Sequence, residues 1–205
     1  MVSRPILDIM KTSWSFKNEE WGMIIDVYDD VLEHHVAEYI SMEMKELSWK
    51  YDYRSNTFLP NKHWHIFCGH NPKGIIDNGY EWVLPIWNTI KSKYHFDDKY
   101  DVDDFIRIYM NAHTHGIEPH IHTDDGDFTM IYYPRLDWKV EYGGGTVVNG
   151  KLIEYIGNRL IVFNAHLPHQ AQSVSRECYD LRTVIVFKCV MSSTTAIEKL
   201  VKWQL

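Results

Sequence analysis

The chain is short of cysteine, of cationic charge and of long apolar runs, and each shortage closes off a class of protein. Only Cys68, Cys178 and Cys189 occur in 205 residues, with no Cys-x-x-Cys spacing. Three scattered thiols make neither a disulfide scaffold nor a thiolate zinc site, so a reducing, cytoplasmic setting is expected. No apolar run approaches the roughly 18 residues that a membrane-spanning helix needs. The segment from Met1 to Trp14 has no long apolar stretch and no small-residue cleavage site, so no secretory leader is expected. Lys and Arg number 21 against 28 Asp and Glu, a net charge of −7. A non-specific grip on nucleic acid needs clustered cations to neutralise phosphates, and this balance argues against one. There is also no internal repeat and no low-complexity linker, so one domain is expected.

What is present describes a globular protein: 45% of residues are hydrophobic and 24% charged. Eight Trp and 13 Tyr supply core bulk and pocket walls. The 12 His outnumber the 11 Gly and are the oddest number in the composition. From Asn18 to Leu47, apolar residues from Trp21 to Ile40 recur at three- and four-residue steps, which predicts a helix. Asn18 would be its N-cap, with Glu19 and Glu20 in the first turn. His35 lies on that stripe and reads as a core or boundary residue. From Ser48 the pattern turns strand-like, with Trp49, Tyr51 and Tyr53 alternating as on one buried face. His63 and His65 share a strand face, but no acidic or His partner follows at useful spacing, so both read as structural. Pro85 would open a short helix running to Tyr94.

After Tyr100 the reading is strand after strand: about 104–111, 119–124, 127–134, 144–148, 151–155, 159–164, 168–174 and 181–190. Turn residues punctuate them, among them Gly116, Asp125-Gly126, Gly143-Gly144-Gly145, Asn149-Gly150 and Gly157-Asn158. Short strands at this spacing suggest a sandwich or jelly roll. The expected plan is mainly β, with N-terminal helices packed outside a jelly-roll core. Residues 1–100 would form a support region, 101–190 the core and 191–205 a tail.

Six of the His fall between residues 113 and 169, and the telling segment is His120-Ile121-His122-Thr123-Asp124. Residues two apart on a strand point the same way, so His120, His122 and Asp124 would face one pocket. An imidazole and a carboxylate on one face are two thirds of the facial triad that holds non-haem Fe(II) and leaves its other positions open. A third ligand would come from another strand, and His166 and His169 both follow the apolar strand Arg159–Phe163.

The order of further motifs carries a resemblance. After His-x-Asp come Ile131-Tyr132-Tyr133, Asp137-Trp138, Gly143-Gly144-Gly145-Thr146, Gly157-Asn158-Arg159-Leu160-Ile161-Val162-Phe163, His169 and Leu181-Arg182-Thr183-Val184-Ile185-Val186-Phe187. Over roughly residues 104–190 this order resembles the 2-oxoglutarate- and Fe(II)-dependent oxygenases, in particular their prolyl 4-hydroxylase-like branch. The resemblance implies a double-stranded β-helix and a hydroxylase that uses Fe(II), 2-oxoglutarate and O₂ and releases succinate and CO₂. It implies His122, Asp124 and His169 as iron ligands. Arg182 would bind the distal carboxylate of 2-oxoglutarate through its planar fork, Tyr133 would hydrogen-bond the same group, and Tyr109 would line the pocket. His166 with Arg176 is the alternative to His169 with Arg182. His120 stands beside the ligands or meets the substrate. Asp125 and Asp127 read as turn residues around Gly126. Related halogenases lack the carboxylate, so Asp124 points to hydroxylation. The substrate would be peptidyl proline or another amino-acid-like or small molecule, entering past loops at 53–80 and 113–119 with Trp64, His113 and His115.

The sequence departs from the family in two places: Pro134-Arg135 follows the tyrosines, and Val186 stands four residues after Arg182 where Thr or Ser is common. Two other readings compete. In a cupin-like metal-binding barrel that does not use 2-oxoglutarate, Asp127 would join His120 and His122. In a non-catalytic jelly-roll interaction protein the His residues are incidental.

Overall fold

The computed structural model describes residues 13–18 (as backbone), 23–55, 60–94, 102 and 104–191. The strands are β1 (Ser13–Asn18), β2 (Met23–Tyr28), β3 (Lys50–Tyr53), β4 (His63–Gly69), β5 (Asp104–His113), β6 (Phe128–Tyr133), β7 (Thr146–Val148), β8 (Lys151–Ile153), β9 (Arg159–Asn164), β10 (His169–Ala171) and β11 (Arg182–Val190). The α-helices are α1 (His34–Glu46), α2 (Pro72–Asp77) and α3 (Leu84–Tyr94). Among the described residues they form an eight-stranded sheet, β1-β2-β9-β6-β11-β5-β4-β3, and a three-stranded sheet, β10-β7-β8. All pairings are antiparallel, as a jelly roll requires.

The inner strands of the large sheet are covered on both faces, which explains their nearly continuous apolar sequences. Tyr132, Leu160, Val162, Ile185 and Phe187 share a core with Ala37, Ile40 and Met44 of α1 and Ile86, Trp87 and Ile90 of α3. Their neighbours Ile131, Tyr133, Ile161, Phe163, Val184 and Val186 point the other way and share a second core with Val148 and Ile153 of the small sheet. The alternation is the period-two consequence of the pleat. The site lies between the two sheets.

The N-terminal half corrects three expectations. The predicted helix from Asn18 is a strand pair through Tyr28, and α1 begins only at His34. Ile24, Ile25 and Val27 are β-branched, and Ile25–Tyr28 pair with Leu160–Phe163 inside the sheet, between β1 and β9. Backbone pairing and burial on both faces override a spacing that also fits a helix. Asn18 therefore ends β1, and Glu19 to Trp21 lie outside the described residues. His35 is exposed, not core or boundary. The chain turns into α1 through Asn158, whose amide meets Leu32 N–H at 3.0 Å and Leu32 C=O at 2.9 Å.

Further corrections concern β3 and the predicted loops. β3 has no buried face: Tyr51 and Tyr53 are exposed at the edge of the sheet. The region 53–80 is not one loop, since it contains β4 and α2. The expected strand at 119–124 reduces to a single bridge, His122 to His169. The proposed tail lies outside the described residues beyond Met191.

Candidate active site

A cavity of about 190 Å³ opens between the sheets. Its wall shows the same alternation: Arg107, Tyr109, Asn111 and His113 from β5, Thr129 and Ile131 from β6, and Arg182, Val184 and Val186 from β11. His122, Asp124 and His169 close one part of it.

These three residues come together because two backbone segments lie side by side. His122 N–H donates to His169 C=O and His169 N–H to His122 C=O, both at 2.9 Å, while Asp124 N–H meets Ala165 C=O at 2.9 Å. The Asp125-Gly126 turn then reverses the chain into β6. Gly126 has φ +84°, and a Cβ there would lie 2.8 Å from Cys189 C=O. One ligand atom from each of His122, Asp124 and His169 lies within 4.8 Å of the other two.

The ring orientation fits a metal. His122 Nδ1 lies 2.9 Å from His120 C=O, and His169 Nδ1 lies 2.9 Å from Leu167 C=O. A carbonyl can only accept, so each Nδ1 carries the proton and, in the neutral ring, each Nε2 presents a lone pair. Those lone pairs face Asp124, His169 Nε2 at 3.0 Å from Oδ2 and His122 Nε2 at 3.9 Å from Oδ1. Burial pulls the His122 pKa down, with neighbouring His169 adding to it, which favours the neutral ligand form. A metal cation among the three atoms would meet both Nε2 lone pairs and the carboxylate at once. Two imidazoles and a carboxylate suit a borderline divalent metal such as Fe(II).

Asp124 has a second partner that the sequence reading missed. Lys188 is fully buried, and its ammonium forms an ion pair with Asp124 Oδ2. Thr129 Oγ1 donates to the same oxygen at 2.8 Å and accepts from Lys188 Nζ at 3.0 Å. Burial opposes the Asp124 charge, but without a metal a hydrogen bond donated by His169 Nε2, together with the Lys188 ammonium, outweighs it and holds the carboxyl below its usual range; a bound metal would take that proton's place. Lys188 shares a face of β11 with Arg182, Val184 and Val186. That spacing was the available signal, hidden because a lysine near the end of an apolar strand is ordinarily solvated.

Arg182 is buried and fixed by a glycine turn. Its Nε donates to Gly144 C=O at 2.6 Å, and Nη2 to Gly145 C=O at 3.4 Å and Thr146 Oγ1 at 3.2 Å. Gly144 has φ +73°, and a Cβ there would lie 3.0 Å from Arg182 Cγ. Tyr133 stands behind this group: its hydroxyl donates to Thr146 Oγ1 at 2.7 Å and its ring stacks on Tyr155. Thr146 thus accepts twice, and its own proton remains for a ligand in the cavity it lines. Tyr109 lines the cavity, with Lys188 Nζ 5.9 Å from its ring centre.

The other sequence candidates fall elsewhere. His166 and Arg176 are exposed, so the alternative pair is not assembled. His120 lines the cavity but lies outside the three-ligand group. Asp127 accepts Met191 N–H at 2.9 Å, and Asp125 pairs with Arg107 at 2.6 Å. His113 lines the cavity, joined by His63, Asn61, Tyr53 and Glu118; Trp64 does not line it and meets Tyr51 at a tilt, and His115 meets Tyr179.

No protein-family model and no curated protein sequence matches the chain. Solved structures do match. A prolyl hydroxylase from Trichoplax adhaerens, in complex with a hypoxia-inducible-factor oxygen-degradation-domain peptide, superposes with a TM-score of 0.53 at 13% identity, covering 80% of this chain and 82% of its own. HygX from Streptomyces hygroscopicus, with nickel and 2-oxoglutarate bound, gives 0.55 at 10% identity over 82% and 83%. The non-haem α-ketoglutarate-dependent epimerase SnoN from nogalamycin biosynthesis gives 0.56 at 10% identity over 80% and 78%. The fold is therefore that of the 2-oxoglutarate- and Fe(II)-dependent oxygenases.

Proposed function

We propose that the chain is a single-domain Fe(II)- and 2-oxoglutarate-dependent oxygenase that hydroxylates an unactivated C–H bond. The observation that carries this reading is the pair of carbonyl-locked imidazoles whose Nε2 atoms converge on Asp124, in one cavity with buried Arg182. His122, Asp124 and His169 hold the metal from one side. Arg182, backed by Thr146 and Tyr133, binds the far carboxylate of the co-substrate, whose charge would otherwise be buried without a partner. Ile131, Val184 and Val186 keep water from the passage between them. When bound, iron, 2-oxoglutarate and O₂ supply the oxidising chemistry, giving succinate, CO₂ and one hydroxyl group on the substrate.

The substrate class we infer is peptidyl proline or another amino-acid-like molecule, in line with the peptide held by the Trichoplax protein. The cysteines described here are buried and unpaired, which supports an intracellular setting. No helix among the described residues is long and apolar enough to cross a membrane.

The test is anaerobic addition of Fe(II) and 2-oxoglutarate. A weak visible charge-transfer band, and succinate formation once air is admitted, are expected. Neither appearing refutes the proposal. Arg182→Ala is expected to weaken 2-oxoglutarate binding by about a hundredfold while sparing the metal.

A further inference from the structure

The cavity has a polar wall that the metal and Arg182 do not explain. On β4 and β5, one step beyond the Trp64–Ala112 pair, the His63 and His113 rings meet edge to face with centroids 5.0 Å apart. His113 is in turn the register partner of Arg182 on β11. The three side chains form one row across three strands, all facing the cavity. His63 is 5% exposed, His113 9% and Arg182 2%. His63 Nε2 and His113 Nδ1 are shut off from solvent and have no hydrogen-bond partner within the protein. Buried polar atoms are ordinarily paired, so two orphans side by side in a cavity wall call for a ligand that pairs them.

Burial, with the Arg182 charge among the further causes, keeps both rings neutral. A neutral imidazole presents one N–H and one lone pair, and the proton can sit on either nitrogen. A purely apolar ligand would leave both atoms unpaired. An anion already attracted by the guanidinium would accept from the N–H groups. A second cation on this wall would compete with Arg182, whereas neutral donors add hydrogen bonds without repelling it.

We propose that His63 and His113 complete a carboxylate-binding row with Arg182, and that its occupant is the distal carboxylate of the 2-oxo acid co-substrate. This rests on the oxygenase reading above. The row places hydrogen-bond donors on a second side of the carboxylate, so the pocket reads that group by direction as well as by charge.

The experiment measures binding, without turnover, in Mn(II)-loaded protein under anaerobic conditions. The probes are 2-oxoglutarate and 2-oxopentanoate, which keeps the metal-chelating end and replaces the distal carboxylate by a methyl group. His63→Phe and His113→Phe, which keep the volume, are each expected to weaken 2-oxoglutarate by about tenfold and to leave 2-oxopentanoate unchanged. His113→Asn, which restores a donor, should recover much of the loss. Mn(II) affinity and thermal midpoint, read on the same samples, report folding. Unchanged 2-oxoglutarate affinity overturns the proposal, as does equal weakening of both probes. Failure of the wild-type chain to bind 2-oxoglutarate would instead refute the oxygenase reading itself.

Discussion

Replacing Lys188 by Met tests how the candidate metal site is built. The substitution removes the ammonium and keeps most of the stem's volume. Lys188 is fully buried and the Asp124 side chain only 12% exposed, so the ion pair is screened little by water. Removing one partner of such a pair costs about 3–5 kcal/mol, because the other charge is left buried. Asp124 keeps the Thr129 hydroxyl at 2.8 Å and the His169 ring at 3.0 Å, so the lower end, about 3 kcal/mol, is expected. In a chain of this size that lowers the thermal midpoint by about 6–12 °C. A bound divalent metal gives the carboxylate a new cation, so the loss should shrink in the loaded protein. By linkage the variant should bind metal more tightly, about tenfold if some 1.4 kcal/mol of the loss is recovered. Urea unfolding of metal-free and Co(II)-saturated protein, with a Co(II) titration, measures both quantities. Equal destabilisation in the two states would make Lys188 a general packing residue. Weaker Co(II) binding in the variant would show that Lys188 aims the carboxylate at the metal and does not compete for it. Either result refutes the reasoning.

Other consequences are as direct. Asp124→Ala should abolish Co(II) binding, whereas Asp127→Ala should cost only the bond to Met191 N–H, about 1 kcal/mol, and leave binding intact; the reverse outcome would favour the cupin-like arrangement. Gly144→Ala puts a methyl group at φ +73°, 3.0 Å from Arg182 Cγ and 3.2 Å from Trp138 Cζ2. A strain of about 1–3 kcal/mol and weaker 2-oxoglutarate binding should follow, by calorimetry and titration. Burial first, then the nearby His65 ring, lowers the His63 pKa from 6.5 to about 4. The unfolded chain therefore binds that proton first, and stability is lost as pH falls from about 6.5 to about 4, by of order 3 kcal/mol. His63→Phe should lack this loss, so its stability relative to wild type should rise on acidification.

Much of the β core was legible before any coordinates. The runs 159–164 and 181–190 are apolar, β-branched and bounded by turn residues, and they became β9 and β11 within a few residues. The helix from Pro85 was legible for the same local reason. The N-terminal helix was not, because Ile24, Ile25 and Tyr28 satisfy helical spacing while the deciding fact, pairing with Leu160–Phe163, lies some 130 residues away.

The candidate site divides along the same line. Local spacing determined that His122 and Asp124 would approach one another, and a strand-end Arg after an apolar run marked Arg182. The family resemblance already preferred His169 to His166; the physical reason lies in the tertiary structure, where His169 bridges to His122 and is buried while His166 is exposed. The partnership of Lys188 with Asp124 spans 64 positions, and the row His63–His113–Arg182 joins strands with no common sequence signature. By itself the sequence determined the residue types, the alternation of faces and the turns, since these depend on neighbours in the chain. The tertiary structure alone decided which buried charges and imidazole nitrogens meet, because burial and pairing are properties of surfaces that exist only after the sheets have packed.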